Sequence, residues 1–168
     1  GFYMYKKFYN LREKPFDLLP NPHFLYMSSG HDDAYTHLEY AVYENKGFVV
    51  ISGEVGCGKT TLINYLLHQI PTDLNVGLIS HTDVDPKPFF KLICRKFELD
   101  HEGLDKGEMI ALFQDFLLRS RQNRIRVALI IDEAQNLPDR TLEEIRMLSN
   151  METEKEHLVQ IILVGQPE

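Results

Sequence analysis

The chain has 168 residues, 43% of them hydrophobic and 26% charged, a length that suits one globular domain and a composition that excludes a disordered chain. Its net charge of -7 argues against a dedicated nucleic-acid module, since such domains are usually basic. Two cysteines cannot form a zinc site by themselves, and the position of Cys57 in a glycine loop favours a reducing, cytoplasmic setting. No hydrophobic run approaches the roughly 18 residues of a membrane helix.

The first part of the chain is predicted to be irregular, and the remainder to alternate strands with helices. Residues 5–30 are rich in Pro, Asn and aromatic residues, and a helix is expected to follow as far as about Glu44. Continuous β-branched apolar runs and helical periodicity then predict strands over 47–52, 74–80, 126–131 and 158–165, and helices over 59–70, 88–99, 106–122 and 138–153. This alternation predicts a three-layer α/β domain around a parallel sheet.

The segment GEVGCGKTT lies between the first of these strands and a helix, and it satisfies the phosphate-loop pattern G-x-x-x-x-G-K-[ST]. Glycines allow successive backbone N–H groups to surround phosphate oxygens. Lys59 is expected to reach the β- and γ-phosphates, and Thr60 to ligate Mg²⁺. The alternative, a glycine turn with a coincidental lysine, is disfavoured by the flanking elements. The predicted nucleotide contacts are Gly53, Glu54, Val55, Gly56, Cys57, Gly58, Lys59, Thr60 and Thr61.

A pair of carboxylates, Asp132 and Glu133, directly follows the third predicted strand. Ligands of open α/β sheets bind at the carboxyl ends of the strands, so the pair is expected to face the nucleotide. Asp132 would hold Mg²⁺, and Glu133 would polarise the attacking water. The alternative is an ordinary acidic start to the next element. Taken with the phosphate loop, the pair favours a hydrolase that uses ATP and Mg²⁺ and leaves ADP.

Gln166 follows the fourth predicted strand. In ATPases with an adjacent Asp-Glu pair, that strand lies between the phosphate-loop strand and the Asp-Glu strand. An amide at its end would therefore lie beside the γ-phosphate and act as a third catalytic residue with Glu133 and Lys59. The alternative is that Gln166 and Pro167 only form a turn.

These motifs, together with FYNLREKPFDLLPNPHFLYMS, LIIDEAQNL, LSNMETEK and IILVGQPE, resemble the ExeA-like (general secretion pathway A) ATPases of the AAA+ class. The resemblance implies a P-loop sheet with strand order 5-1-4-3-2. The chain ends after its fourth strand, so the expected order is 1-4-3-2, with the fifth strand and the helical lid missing. It then reads as a partial AAA+ domain over 1–168, with an N-terminal segment and first helix over 1–46 and a P-loop core over 47–168. The first strand is expected to be an open edge unless the N-terminal segment or a second molecule covers it.

The resemblance also implies a function. ExeA-like ATPases act at the cytoplasmic face of the bacterial inner membrane, where they assemble the type II secretion secretin with a GspB-type partner. Membrane contact would come only through parts downstream of this chain. Self-association through the ATPase domain would supply an arginine to the neighbouring site, with Arg140 and Arg146 as candidates and with surface pairing to Glu143 or Glu144 as the alternative. Without such an arginine, an isolated chain is expected to be a slow ATPase.

Some readings stay open. A polar residue after the second strand, Ser80 or His81, is expected to restrain Glu133, and residues 20–26 either line the adenine or pack beneath the sheet. The run RSRQNRIR is expected to offset a helix dipole, with a DNA or subunit contact as the alternative. Two alternative functions therefore stay open: a DNA-associated ATPase of the TniB or MuB transposition type, and a nucleotide-switched interaction module.

Overall fold

The computed structural model describes residues 23–27, 48–53, 63–64, 68, 72–151 and 157–165. Within them lie five strands and three helices whose bounds are described in full. The strands are β1 (His23–Met27), β2 (Phe48–Gly53), β3 (Leu74–Ile79), β4 (Arg126–Ile131) and β5 (Gln160–Gly165). The helices are α1 (Pro86–Lys96), α2 (Lys106–Gln122) and α3 (Asp139–Ser149), and a short 3-10 turn spans Ala134–Asn136. Ile63, Asn64 and His68 are also helical, and the helix predicted before β2 lies outside the described residues.

All five strands are parallel and form one sheet in the order β1-β2-β5-β4-β3. The four predicted strands are β2 to β5, and their order confirms the expected 1-4-3-2 arrangement. Strand β5 lies between the strand before the phosphate loop and the strand before Asp132, as expected for ATPases with an adjacent Asp-Glu pair.

The prediction of an irregular segment over 5–30 is wrong at residues 23–27, which form β1. This strand pairs with β2 in a register that runs from His23 opposite Val49 to Met27 opposite Gly53. The run HFLYM is short, and the prolines and asparagines before it hide its strand signal. The edge of a strand carries unpaired N–H and C=O groups. By pairing with β2, β1 provides hydrogen-bond partners for the groups that β2 would otherwise expose. It occupies the position that the resemblance gives to the fifth strand.

The core lies between the central strands and the helices. Every residue of β5 is buried, and only Arg126 of β4 is partly exposed, so both faces of these strands are covered, as in other parallel sheets. Helix α1 packs against β3, α2 and α3. The largest fully buried side chains include Phe89, Phe90 and Phe113. No helix in the described part of the chain combines the length and apolar character needed to span a membrane.

Local backbone signals set where the helices begin and end. Helix α2 opens with a capping box, in which Asp105 Oδ1 accepts the Glu108 N–H at 2.8 Å and Glu108 Oε1 accepts the Asp105 N–H at 3.1 Å. Helices α1 and α2 both end where a non-glycine residue, Glu98 or Arg124, adopts a left-handed conformation. The N–H of Leu99 then donates to the Cys94 carbonyl at 2.8 Å, and the N–H of Ile125 to the Ser120 carbonyl at 2.8 Å. This capping ends α1 three residues before the predicted boundary.

We predict that Gly77 in β3 does not tolerate a side chain. A Cβ at this position would lie 2.8 Å from Phe97 Cζ. The Phe97 ring cannot easily withdraw, because it packs on Phe113 and Phe116 with ring centroids 5.7 and 5.2 Å away. Gly77→Val should lower the free energy of unfolding by about 1–3 kcal/mol, measured by chemical denaturation.

Gly107→Ala is the matched control for that prediction. Its Cβ would meet only Asp105 Oδ1, at an ordinary 3.5 Å, so the variant should be neutral or slightly stabilising. Equal stability of Gly77→Val and the parent chain would contradict the predicted packing of Phe97 on β3.

Candidate functional site

The carboxyl ends of the strands meet at one edge of the sheet. Ser52 lies opposite Gly165, Ile131 lies opposite Leu163, and Ile79 lies opposite Ile131. The start of the phosphate loop at Gly53, the pair that follows β4 and the end of β5 are therefore neighbours. The remainder of the loop, residues 54–61, and Gln166 lie outside the described residues, so their roles stay predictions.

Asp132 is the first residue beyond β4 and is half-buried. Its backbone N–H donates to the Ile79 carbonyl at 2.8 Å, which fixes the residue against the end of β3. Its Oδ1 accepts the Glu133 N–H at 2.9 Å. Carboxylate oxygen is the kind of ligand that Mg²⁺ prefers, so the chemistry of Asp132 fits the predicted metal site.

Glu133 has a left-handed backbone, with φ of 53°, which is uncommon for a residue other than glycine. Its carbonyl accepts two hydrogen bonds, one from Thr82 Oγ1 at 2.8 Å and one from the Asn136 N–H at 3.0 Å. Its Oε2 accepts a hydrogen bond from Gln135 Nε2 at 2.6 Å. Surrounding groups thus fix both the backbone and the carboxylate of a residue that is itself exposed to solvent.

The residue after β3 that contacts Glu133 differs from the two that the sequence analysis predicted. Ser80 and His81 are exposed and line an open cavity of about 490 Å³ beside β3, together with Leu92 and Lys96. Thr82, which is 3% exposed, makes the bond to Glu133 instead. The candidates were therefore one or two residues early, because the chain continues past the end of β3 before it turns back toward β4.

Two residues of the site were missed by the sequence reasoning. The position of Thr82 depends on the path of a loop, and no local signal predicts that path. Gln135 lies in the segment LIIDEAQNL, two residues after Glu133, so its closeness along the chain was visible. Its orientation toward the carboxylate depends on the 3-10 turn that follows β4.

Comparison with known proteins identifies the family. A family model described as an AAA domain matches residues 42–168. The chain belongs to this family. It is also 40% identical, over 167 residues, to General secretion pathway protein A of Aeromonas hydrophila, and this match covers 98% of the chain. The resemblance seen in the motifs is thereby confirmed. The match spans only 30% of that relative's length.

Among solved structures, the AAA domain is similar to the Aeropyrum pernix ORC2 protein, described in its ADPNP-ADP complexes. The TM-score is 0.58 and the sequence identity 14%, and the match covers 81% of this chain and 40% of that one. At this identity the likeness supports the fold alone.

In this AAA domain the loop after β3 also makes hydrogen bonds to the start of α3. Thr141 Oγ1 donates to the Val84 carbonyl at 2.7 Å, and Arg140 Nε donates to Asp85 Oδ1 at 3.0 Å. The loop therefore connects the start of α3 to the backbone of Glu133. Because Thr82 and Thr141 are both buried, these hydrogen bonds are shielded from water.

The two candidate arginines of α3 differ in environment. Arg146 donates through Nε to both carboxylate oxygens of Glu143 at 3.1 Å, and its side chain is 18% exposed. This hydrogen bonding lowers the pKa of Glu143. Arg146 therefore forms the ion pair with Glu143 that the sequence analysis gave as the alternative to a role at a neighbouring site. Arg140 is 68% exposed and pairs with Asp85.

The arginines of RSRQNRIR lie at the end of α2 and the start of β4, at the edge of the sheet opposite Asp132. Arg119 pairs with Asp115 at 3.2 Å, and Arg126 pairs with Asp73 at 3.4 Å. Arg124 forms the left-handed end of α2. Arg119 and Arg121 thus lie in the last turn of α2, where their charge offsets the helix dipole as predicted.

We predict that Thr82→Val lowers the free energy of unfolding by about 1 kcal/mol, measured by urea denaturation. The substitution keeps the shape of the side chain and removes the hydroxyl that donates to the Glu133 carbonyl. The loss is moderate because Asn136 still donates to that carbonyl. Thr72→Val, at an exposed turn position, is the control and should be near neutral. If both variants match the parent, the Thr82 bond does not stabilise the site.

Proposed function

We propose that the chain binds ATP through Gly53–Thr61 and hydrolyses it with Mg²⁺. The observation that carries this proposal is Glu133, an exposed carboxylate whose backbone and side chain are fixed at the end of β4. Only β5 separates β4 from β2, which leads into the phosphate loop. Membership of the AAA domain family supports the same conclusion.

In the proposed reaction, water attacks the γ-phosphorus while the bond to the β–γ bridging oxygen breaks, and ADP is the leaving group. Glu133 orients the water and accepts its proton. Lys59 contacts the β- and γ-phosphates, and Gln166 contacts the γ-phosphate or the water. Thr60 and Asp132 would hold Mg²⁺, which when bound neutralises charge on the phosphate oxygens.

We propose that this hydrolysis drives assembly of a type II secretion secretin or of a related envelope export system. Support comes from the 40% identity to General secretion pathway protein A, which extends over 98% of the chain. The chain spans less than a third of that relative, so a GspB-type partner and a position at the cytoplasmic face of the inner membrane are proposals about the longer protein.

Self-association is part of the proposal, with Arg140 as the arginine that reaches a neighbouring site. Arg140 suits this role better than Arg146 because its guanidinium is largely exposed, whereas Arg146 is mostly covered and bound to Glu143. Asp85 would have to release Arg140 in the assembled state. Loss of such an arginine costs on the order of 10³ to 10⁵ in rate in other phosphoryl-transfer enzymes.

We predict that Glu133→Gln keeps ATP bound but slows hydrolysis by at least about 100-fold, because the amide cannot accept the water proton. Lys59→Ala should lose ATP binding itself. Binding is measured with a fluorescent ATP analogue, and hydrolysis by phosphate release with and without Mg²⁺. Lys91→Ala, at an exposed lysine of α1, is the control and should behave as the parent. Normal turnover in Glu133→Gln would show that the catalytic assignment is wrong.

We predict that Lys59→Ala in the full-length protein blocks export in the organism from which the chain comes. Secretin multimers should disappear from the outer membrane, and their cargo should accumulate inside the cell, because assembly would lack its ATP-driven step. Multimers are detected by immunoblotting of membrane fractions, with Lys91→Ala as the control. Unchanged secretin assembly and export would contradict the proposed role while leaving the ATPase assignment to the assay above.

A further inference from the structure

We propose that Gln135 is a positioning residue that holds the carboxylate of Glu133 in the orientation needed to activate water. The inference rests on the proposed ATP hydrolysis and adds a residue to it. Gln135 Nε2 donates to Glu133 Oε2 at 2.6 Å. A hydrogen bond to an ionised acceptor is among the stronger ones that a side chain makes.

The side chains of Gln135 and Glu133 differ in exposure, and this difference indicates which of them positions the other. Gln135 is 8% exposed, whereas Glu133 is exposed. A free surface glutamate samples several rotamers, but this one ends on a buried amide. The amide therefore acts as the fixed partner, and the carboxylate as the group that is positioned.

The turn that carries Gln135 is anchored to the core. Ala134 and Leu137 on either side are 2% and 0% exposed and belong to the hydrophobic core cluster. The Leu137 N–H donates to the Ala134 carbonyl at 3.2 Å, and the Asn136 N–H to the Glu133 carbonyl at 3.0 Å. Packing and backbone bonding thus hold the backbone of Gln135 in place independently of the Glu133 carboxylate.

Gln135 and Thr82 act on different parts of the same residue. Thr82 holds the Glu133 carbonyl and so fixes the backbone. Gln135 holds Oε2 and so fixes the side chain, and we assign Oε1 to the water. A fixed general base avoids the reorientation that a mobile carboxylate would need in each turnover. Gln135 itself touches neither water nor phosphate in this scheme.

The test uses Gln135→Met, which keeps the length of the side chain and removes the N–H donor. Phosphate release under single-turnover conditions should fall about 10- to 100-fold, the range expected for loss of a hydrogen bond to a charged group. ATP affinity should change by less than about threefold, because the loss affects the transition state and not nucleotide binding. Gln135→Glu should lose at least as much, since it replaces the donor with a second carboxylate. Gln122→Met, at the exposed end of α2, is the control and should match the parent.

The double variant Glu133→Gln with Gln135→Met separates positioning from a merely structural role. If Gln135 acts through the Glu133 carboxylate, its loss should add little to the loss already caused by Glu133→Gln. A full additional 10-fold drop would show that Gln135 acts elsewhere and would overturn the proposal. Urea denaturation of each variant, at the temperature of the assay, confirms that the protein compared is folded.

The remaining outcomes also decide the matter. Normal turnover in a folded Gln135→Met variant, beside a slow Glu133→Gln, would overturn the role of Gln135 and leave the proposed hydrolysis intact. Faster turnover in Gln135→Met would overturn positioning and show that the bond restrains the base. A parent chain without Mg²⁺-dependent hydrolysis would overturn the proposed function and, with it, this inference.

Discussion

The hydrogen bonding of β5 between β2 and β4 is the constraint on which the candidate site depends. Strands β2 and β4 are far apart in sequence, and neither pairs directly with the other. Strand β5 sets their register, with Ser52 opposite Gly165 on one side and Ile131 opposite Leu163 on the other. Because all three are parallel, Gly53 at the end of β2 and Asp132 just beyond β4 lie at the same edge of the sheet. The complete burial of β5 makes this register costly to shift.

Beyond β4, the chain leaves regular structure within one residue and is held by polar contacts. Glu133 adopts a left-handed conformation that a glutamate does not favour, and Thr82, Asn136 and Gln135 each donate a hydrogen bond to it. Strained residues that their surroundings fix in this way are often found at functional sites. The same network extends through the loop after β3 to the first turn of α3, where Arg140 is exposed. Hydrogen bonds therefore connect that surface to the backbone of the proposed general base.

The outer edge of β2 shows how the fold resolves an exposed strand. The edge is completed by β1, which comes from the N-terminal part of the chain and pairs in parallel over five positions. Parallel pairing places Met27 beside Gly53, so the N-terminal segment reaches the start of the phosphate loop.

Strong local patterns in the sequence predicted most of the strands and helices and the candidate site. The bounds of β4 and α2 were predicted without error, since a continuous apolar run marks one and helical periodicity marks the other. The phosphate-loop pattern and the Asp132–Glu133 pair identified the candidate site, because each depends on residue types at fixed spacing. Tertiary structure alone decided the pairing of β1, the end of α1 at a left-handed Glu98, and the choice of Thr82 over Ser80 and His81. These features depend on which groups meet across the fold, and spacing along the chain does not encode such meetings.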